Sequence, residues 1–207
     1  RRLAFEELFL FTLGLRRLRQ RREVAAVDPF RPVDMEGFYG ALPFTLTEAQ
    51  RRCVEEALRD MASGRPMSRL CQGDVGSGKT MVAAACVYFC VKNGRQAALM
   101  APTEILARQH YEGLAPLMEP LGIRCALLTG SHTAKEKRIL AASLAAGEVD
   151  FVVGTHALIS GGVEYNRLGL VVTDEQHRFG VAQRAALAGK GDHPHTLVMS
   201  ATPIPRT

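Results

Sequence analysis

Arg69-Leu70-Cys71-Gln72-Gly73-Asp74-Val75-Gly76-Ser77-Gly78-Lys79-Thr80-Met81-Val82 decides how the chain is read. A short apolar run, Arg69–Gln72, reads as a strand, and the apolar stretch from Lys79 onward reads as a helix. Between them Gly73 to Thr80 fits G-x-x-x-x-G-K-[ST] without a mismatch, in the strand–loop–helix context that this motif requires. Glycines at Gly73, Gly76 and Gly78 let successive backbone N–H groups turn inward around an anionic phosphate without Cβ clashes. The following helix points its positive end at the same place. Ser77 lies inside the loop, Lys79 supplies a point charge for the outer phosphates, and the Thr80 hydroxyl is a ligand for Mg²⁺. A nucleoside triphosphate, with its metal, is the ligand these eight residues suit.

Outward from the loop the pattern alternates. Arg69–Gln72, Gln96–Ala101, Arg124–Leu128, Asp150–Val153, Leu168–Thr173 and Thr196–Ser200 read as strands. Lys79–Lys92, Glu104–Met118 and Ala134–Ala146 read as helices between them. Nearly continuous apolar strands separated by helices predict an α/β domain, a parallel sheet covered on both faces. Upstream, Thr47 and Gln50 have the spacing of a capping box, and Val54, Leu58 and Met61 continue one helical face until Gly64 and Pro66. Residues 27–46 hold Pro29, Pro32, Pro43, Gly37 and Gly40 and read as an irregular connector. Segment 3–22 carries Phe5, Leu8, Phe9, Leu15 and Leu18 at helical spacing. The division expected is a helical lead-in and connector over 1–39 and the α/β domain over 40–207.

A second chemical element follows the Val-rich run. Val171-Val172-Thr173-Asp174-Glu175 puts two carboxylates where a buried strand ends, at the crevice in which open α/β sheets bind ligands. Asp174 is placed to hold Mg²⁺, directly or through water, and Glu175 to orient or deprotonate an attacking water.

The composition fits a folded domain: 47% of the 207 residues are apolar and 23% charged. The net charge of +5 equals that of residues 1–22 alone, where seven arginines face Glu6 and Glu7. That cluster reads either as a nucleic-acid or acidic-partner contact or as a solvated helix face. Five cysteines without a C-x-x-C pair argue against a metal site; Cys86 and Cys90, four apart in an apolar stretch, read as buried thiols of a reducing cytosol. No apolar run approaches a membrane span, and nothing near the N-terminus resembles a signal peptide, so no membrane partner is expected. The chain opens on Arg1 rather than Met, which reads as a piece of a longer protein.

At Asp174-Glu175-Gln176-His177 the sequence resembles the superfamily 2 helicases of the DExH type. Met100-Ala101-Pro102-Thr103-Glu104-Ile105-Leu106-Ala107, Thr129-Gly130-Ser131, Val153-Gly154-Thr155-His156-Ala157-Leu158 and Ser200-Ala201-Thr202 resemble further motifs of those motors. The spellings GDVGSGKT, APTEILA, VVGTHALI, DEQHRFGVAQR and SATPIPRT are together similar to the RecG family of branched-DNA helicases, densely over about 40–207. The transcription-repair coupling factors have similar blocks but favour Phe at Ser77 and Glu at Gln176, and come second.

The resemblance implies a RecA-like ATP-binding motor domain that uses ATP and Mg²⁺ to remodel forks and Holliday junctions. It gives Gln50 the reading of adenine, beside its role as a helix cap. Phe44 packs on the base or, the favoured reading, in the core. DNA contact is implied for Thr103, Thr129, Gly130, Ser131, Thr155 and His156, whose backbone donors position a strand without reading its sequence. His177, Arg178, Ser200 and Thr202 are implied to couple nucleotide state to DNA, with structural hydrogen bonding the alternative; His110, His132, His193 and His195 are left as surface or core residues. The partners implied are branched double-stranded DNA, a second RecA-like domain and a wedge domain of the same full-length chain, in a monomeric, cytoplasmic, nucleoid-associated bacterial protein. Lacking the second domain's arginine finger, worth about 10³–10⁵ in turnover, the chain alone is expected to be nearly inactive.

Two other classes fit parts of the sequence. A small-molecule kinase shares the phosphate loop, yet no Arg-rich lid lies between Lys79 and Asp174. A non-catalytic DNA- or protein-binding module using Arg16–Arg22 has no use for Lys79, Asp174 and Glu175 together.

Overall fold

The computed structural model describes residues 27–174 and 186–201. Helix α1 (Glu36–Ala41) is a single short turn-and-a-half that buries Phe38. Helix α2 (Glu48–Met61) opens on a complete capping box: the Thr47 hydroxyl accepts from the Gln50 amide at 3.3 Å, and Gln50 Oε1 accepts from the Thr47 amide at 2.9 Å. Its Val54, Ala57 and Met61 face inward.

Strand β1 (Ser68–Gln72) leads through the phosphate loop to helix α3 (Lys79–Lys92), which buries every residue from Val82 to Cys90. A helix apolar all round belongs in the middle of a domain, and α3 lies there. Strand β2 (Gln96–Met100) and helix α4 (Glu104–Met118) follow, then β3 (Cys125–Leu128), helix α5 (Ala134–Ala146), β4 (Phe151–Gly154), β5 (Leu168–Asp174) and β6 (His195–Ser200). Short 3₁₀ turns occupy Glu119–Leu121 and His156–Ile159.

The six strands form one sheet in the order β1-β6-β5-β2-β4-β3, every pair parallel. Alternate residues therefore serve opposite faces. Ala97, Leu99 and Ala101 enter the core shared with α2, α3 and α4, whereas Ala98 and Met100 enter the core under α5 with Leu144, Leu158 and Leu187. The expected parallel sheet covered on both faces is what forms. Because all strands run one way, all their C-terminal ends meet along one rim.

Residues 27–46 depart from the irregular connector that the sequence suggests. They contain α1, and Phe30, Phe38 and Leu46 are buried in the same core as α3. Asn93, at the C-cap of α3, clips this segment in place: its Oδ1 accepts from the Arg31 amide at 2.7 Å and its Nδ2 donates to the Arg31 carbonyl at 3.2 Å. The helix expected over 3–22 and the arginine cluster lie outside the described residues. Among those described, no helix is long and apolar enough to cross a membrane.

Candidate nucleotide and nucleic-acid site

The rim is divided by strand order. At one end β1, β6 and β5 emerge; at the other, β2, β4 and β3. On the first half, the loop Gly73–Gly78 leaves β1, and Gly76 and Gly78 take φ of +81° and +80°, the left-handed region that a side chain disfavours. Gly78 is the N-cap of α3, so the open amides of the helix begin inside the loop. Lys79 folds back over it: Nζ donates to the Gly73 and Asp74 carbonyls, each at 2.7 Å, and to Ser77 Oγ at 3.4 Å. The cation is thus held over the loop by the loop's own acceptors.

Asp174 ends β5, pairing with Met199 of β6, while Gln72 at the end of β1 pairs with Ser200 on the other flank. At the usual strand spacing, β1 and β5 stand roughly 10 Å apart across β6, on the same rim. Ser200 stitches the two together: its carbonyl accepts from the Gly73 amide at 3.2 Å, so the end of β6 holds the first residue of the loop. Thr80 and Asp174 offer oxygen donors, the kind Mg²⁺ takes alongside phosphate oxygens and water. Among the described residues no group of three or more His, Cys, Asp or Glu gathers into a metal cage.

Gln50 reaches this site from α2. Its Nε2 donates to the Ser77 carbonyl at 2.9 Å, and its amide fills the space that a Cβ on Gly78 would need. Of the two readings of Gln50, the helix cap is the one the contacts show: its oxygen caps the helix while its nitrogen holds the loop. Phe44 is 49% exposed, so it is not the core residue favoured from sequence. It lines a cleft of about 490 Å³ with Tyr39, Pro43, Leu46 and Arg51, beside the helix that carries Gln50.

The second half of the rim gathers the residues expected to meet DNA. Thr103 follows β2 and caps α4 through Leu106 (3.3 Å); Thr155 and His156 follow β4; Thr129, Gly130 and Ser131 follow β3. Thr129 and Thr155 are buried whole and their amides are already used, Thr129 N–H donating to His132 Nδ1 at 3.2 Å and Thr155 N–H to the Leu128 carbonyl at 3.3 Å, so of the residues expected to meet DNA these two brace their loops from inside. Thr129 Oγ1 lies 2.9 Å from Ser131 Oγ and 3.0 Å from His132 Nδ1. Glu175, His177, Arg178 and Thr202 lie outside the described residues.

Two contacts at the site have no counterpart in the sequence reading. Glu104 Oε1 accepts from the Ser131 amide at 2.9 Å, and hydrogen bonds from the Ser131 hydroxyl and the Ser131 and Gly130 amides hold the carboxyl below its ordinary range. His110, set aside as a surface or core residue, places Nε2 2.7 Å from Asp174 Oδ2, with the two side chains 13% and 17% exposed. No spacing rule could have paired them, because their meeting depends on β2 and β5 being neighbours.

A glycine-lined loop at the head of α3, a carboxylate two strands away and the loops after β2, β4 and β3 thus share one rim of the sheet. A family model for the DEAD/DEAH box helicases matches residues 47–207, and the chain belongs to that family. Within it, the chain is similar over its whole length to the ATP-dependent DNA helicase RecG: 52% identical over 210 residues to that of Streptococcus pneumoniae, and 49% over 208 to that of Thermotoga maritima. It spans 31% and 27% of those proteins, less than a third of each. A structure of RecG bound to a three-way DNA junction superposes with a TM-score of 0.84 at 46% identity, over 99% of this chain and 28% of that one. The UvsW helicase of bacteriophage T4, 15% identical with a TM-score of 0.61 over 84% of this chain and 62% of that one, shares the fold. The fold is thereby RecA-like, in agreement with the sequence reading.

Proposed function

We propose that this chain is the ATP-binding motor segment of a RecG-type helicase, which hydrolyses ATP to remodel branched DNA in recombination and repair. The observation that carries the reading is the Lys79 loop and Asp174 on one rim, in a chain about half identical to RecG from end to end. Gly73, Gly76, Ser77, Gly78 and Lys79 bind the phosphates, and Phe44 and Gln50 border the base. Thr80 and Asp174 hold Mg²⁺, whose charge offsets that of the phosphates when it is bound. Lys79 exchanges the Gly73 and Asp74 carbonyls for phosphate oxygens, while Glu175 orients water. His177, Arg178, Ser200 and Thr202 pass the nucleotide state on.

On the other half of the rim, backbone amides at Thr103, Gly130, Ser131 and His156 meet phosphates along a strand, with Thr129 and Thr155 bracing the loops from inside, which suits a motor that must move over any sequence. In the full-length protein, a second RecA-like domain supplies the arginine finger and a wedge domain splits the fork. The setting is a monomer in the bacterial cytosol.

The test is steady-state ATPase of the full-length protein with no DNA, with single strands and with forks. Forks should stimulate most. Lys79→Ala should reduce fork-stimulated turnover by roughly a hundredfold or more, the scale set by removing one preorganised charge from reacting oxygens. Phosphoryl transfer to a small molecule regardless of DNA, or turnover that survives Lys79→Ala, would sink the reading.

A further inference from the structure

Helix α4 touches both halves of the rim. Its first residue, Glu104, holds the Ser131 amide at 2.9 Å, and the loop is gripped from the opposite side by Lys137 of α5, whose Nζ donates to the Gly130 carbonyl at 2.6 Å. Six residues further along, His110 holds Asp174 at 2.7 Å. At 1.5 Å per residue these contacts are roughly 9 Å apart on one rigid rod, which is anchored in the main core through Ala107, Leu114 and Met118. In the tautomer that carries its hydrogen on Nε2, His110 donates to Oδ2 of Asp174. Nearly enclosed and held at Oδ2 by a ring fixed on α4, the carboxylate loses freedom to rotate about its Cβ–Cγ bond.

We propose that His110 is a positioning residue. It fixes the plane of the Asp174 carboxylate for the nucleotide's metal, and through α4 it ties that plane to the loop 129–131. The proposal rests on the function argued above. It adds a connection: occupation of the Gly130–Ser131 amides by a DNA phosphate competes with Glu104, loads the N-terminal end of α4, and reaches Asp174 through His110. Residues that orient metal ligands from behind commonly matter 10–100-fold to metal affinity, and two ends of one packed helix give a contiguous route between sites.

The experiment uses the full-length protein with His110→Leu, which removes the donor, and His110→Gln, which returns an N–H at a similar reach. Mn²⁺ affinity of the ADP complex is read by electron paramagnetic resonance, thermal unfolding is followed beside it, and ATPase is measured with and without forks. His110→Leu is expected to weaken Mn²⁺ binding by about 10–100-fold. It should also lower the ratio of fork-stimulated to basal turnover, and His110→Gln should recover most of both. Unchanged Mn²⁺ affinity in His110→Leu overturns the proposal, as does a loss that His110→Gln fails to restore at an unaltered melting temperature. A wild-type protein whose ATPase ignores DNA sinks the helicase reading instead, and the Mn²⁺ titration still decides whether His110 positions Asp174.

Discussion

His195 makes the stability of this fold fall with acidification in a window that can be named. It opens β6, is 2% exposed, stands edge-on to Phe30 at 4.7 Å, and accepts the Met67 amide on Nδ1 at 2.9 Å. A second proton would have to displace that hydrogen bond. Burial pushes its pKa down from 6.5 to about 4; nearby Arg95 acts in the same direction and Asp60 opposes it. In the unfolded chain the imidazole takes up its proton near 6.5, while the folded protein refuses it until about 4. The unfolded state therefore binds more protons between these values, and stability must drop as pH falls through them.

At 1.36 kcal/mol per unit of pKa, the full loss is about 3 kcal/mol, complete near pH 4 and absent above pH 7. The measurement is urea unfolding from pH 7.5 to 4 of the wild type and of His195→Asn, whose Oδ1 can accept the Met67 amide but does not titrate. The variant is less stable at neutral pH, because it leaves space beside Phe30, yet it should lose less on acidification. Other titrating groups cancel in the difference. Parallel pH profiles for the two proteins would refute the argument.

Two further outcomes follow from buried polar groups. Gln96 is 5% exposed and fully used: Nε2 donates to the Leu144 and Val149 carbonyls at 2.9 and 2.7 Å, and Oε1 accepts from the Arg167 amide at 3.1 Å. Gln96→Leu strands all three and should cost about 3 kcal/mol, read as a lower urea midpoint. Thr173 presents the opposite case, since its buried Oγ1 has no hydrogen-bond partner; Thr173→Val should raise stability by about 1 kcal/mol in the same assay.

Where local chemistry decides, the sequence was an accurate guide. The expected limits of α3, α4 and α5 are those observed, because Gly78, Thr103 and Thr133 cap their starts and Gly147 closes α5. Strand limits fell within a residue, each run being closed by loop-forming residues. Helix α1 was missed for the converse reason. Gly37 and Gly40 lower its intrinsic helicity, and it exists because Phe38 finds a place in the core. The strand–glycine loop–helix unit was legible because its geometry is local. Phe44 was favoured for the core and is exposed instead, since exposure depends on how 27–46 packs. The pairing of His110 with Asp174, 64 positions apart, belongs to strand order, which no window of sequence contains.

The clip at Asn93 has a mechanical meaning. Its side chain grips the backbone N–H and C=O of Arg31 from the far end of α3, about 22 Å along the helix from Gly78. Ahead of that grip, Val27 and Phe30 donate to the Gly64 and Met61 carbonyls, and Phe30 stands against His195 of β6. A tug arriving at residue 27 is therefore shared among the end of α2, the start of β6 and the foot of α3, three elements bearing one load.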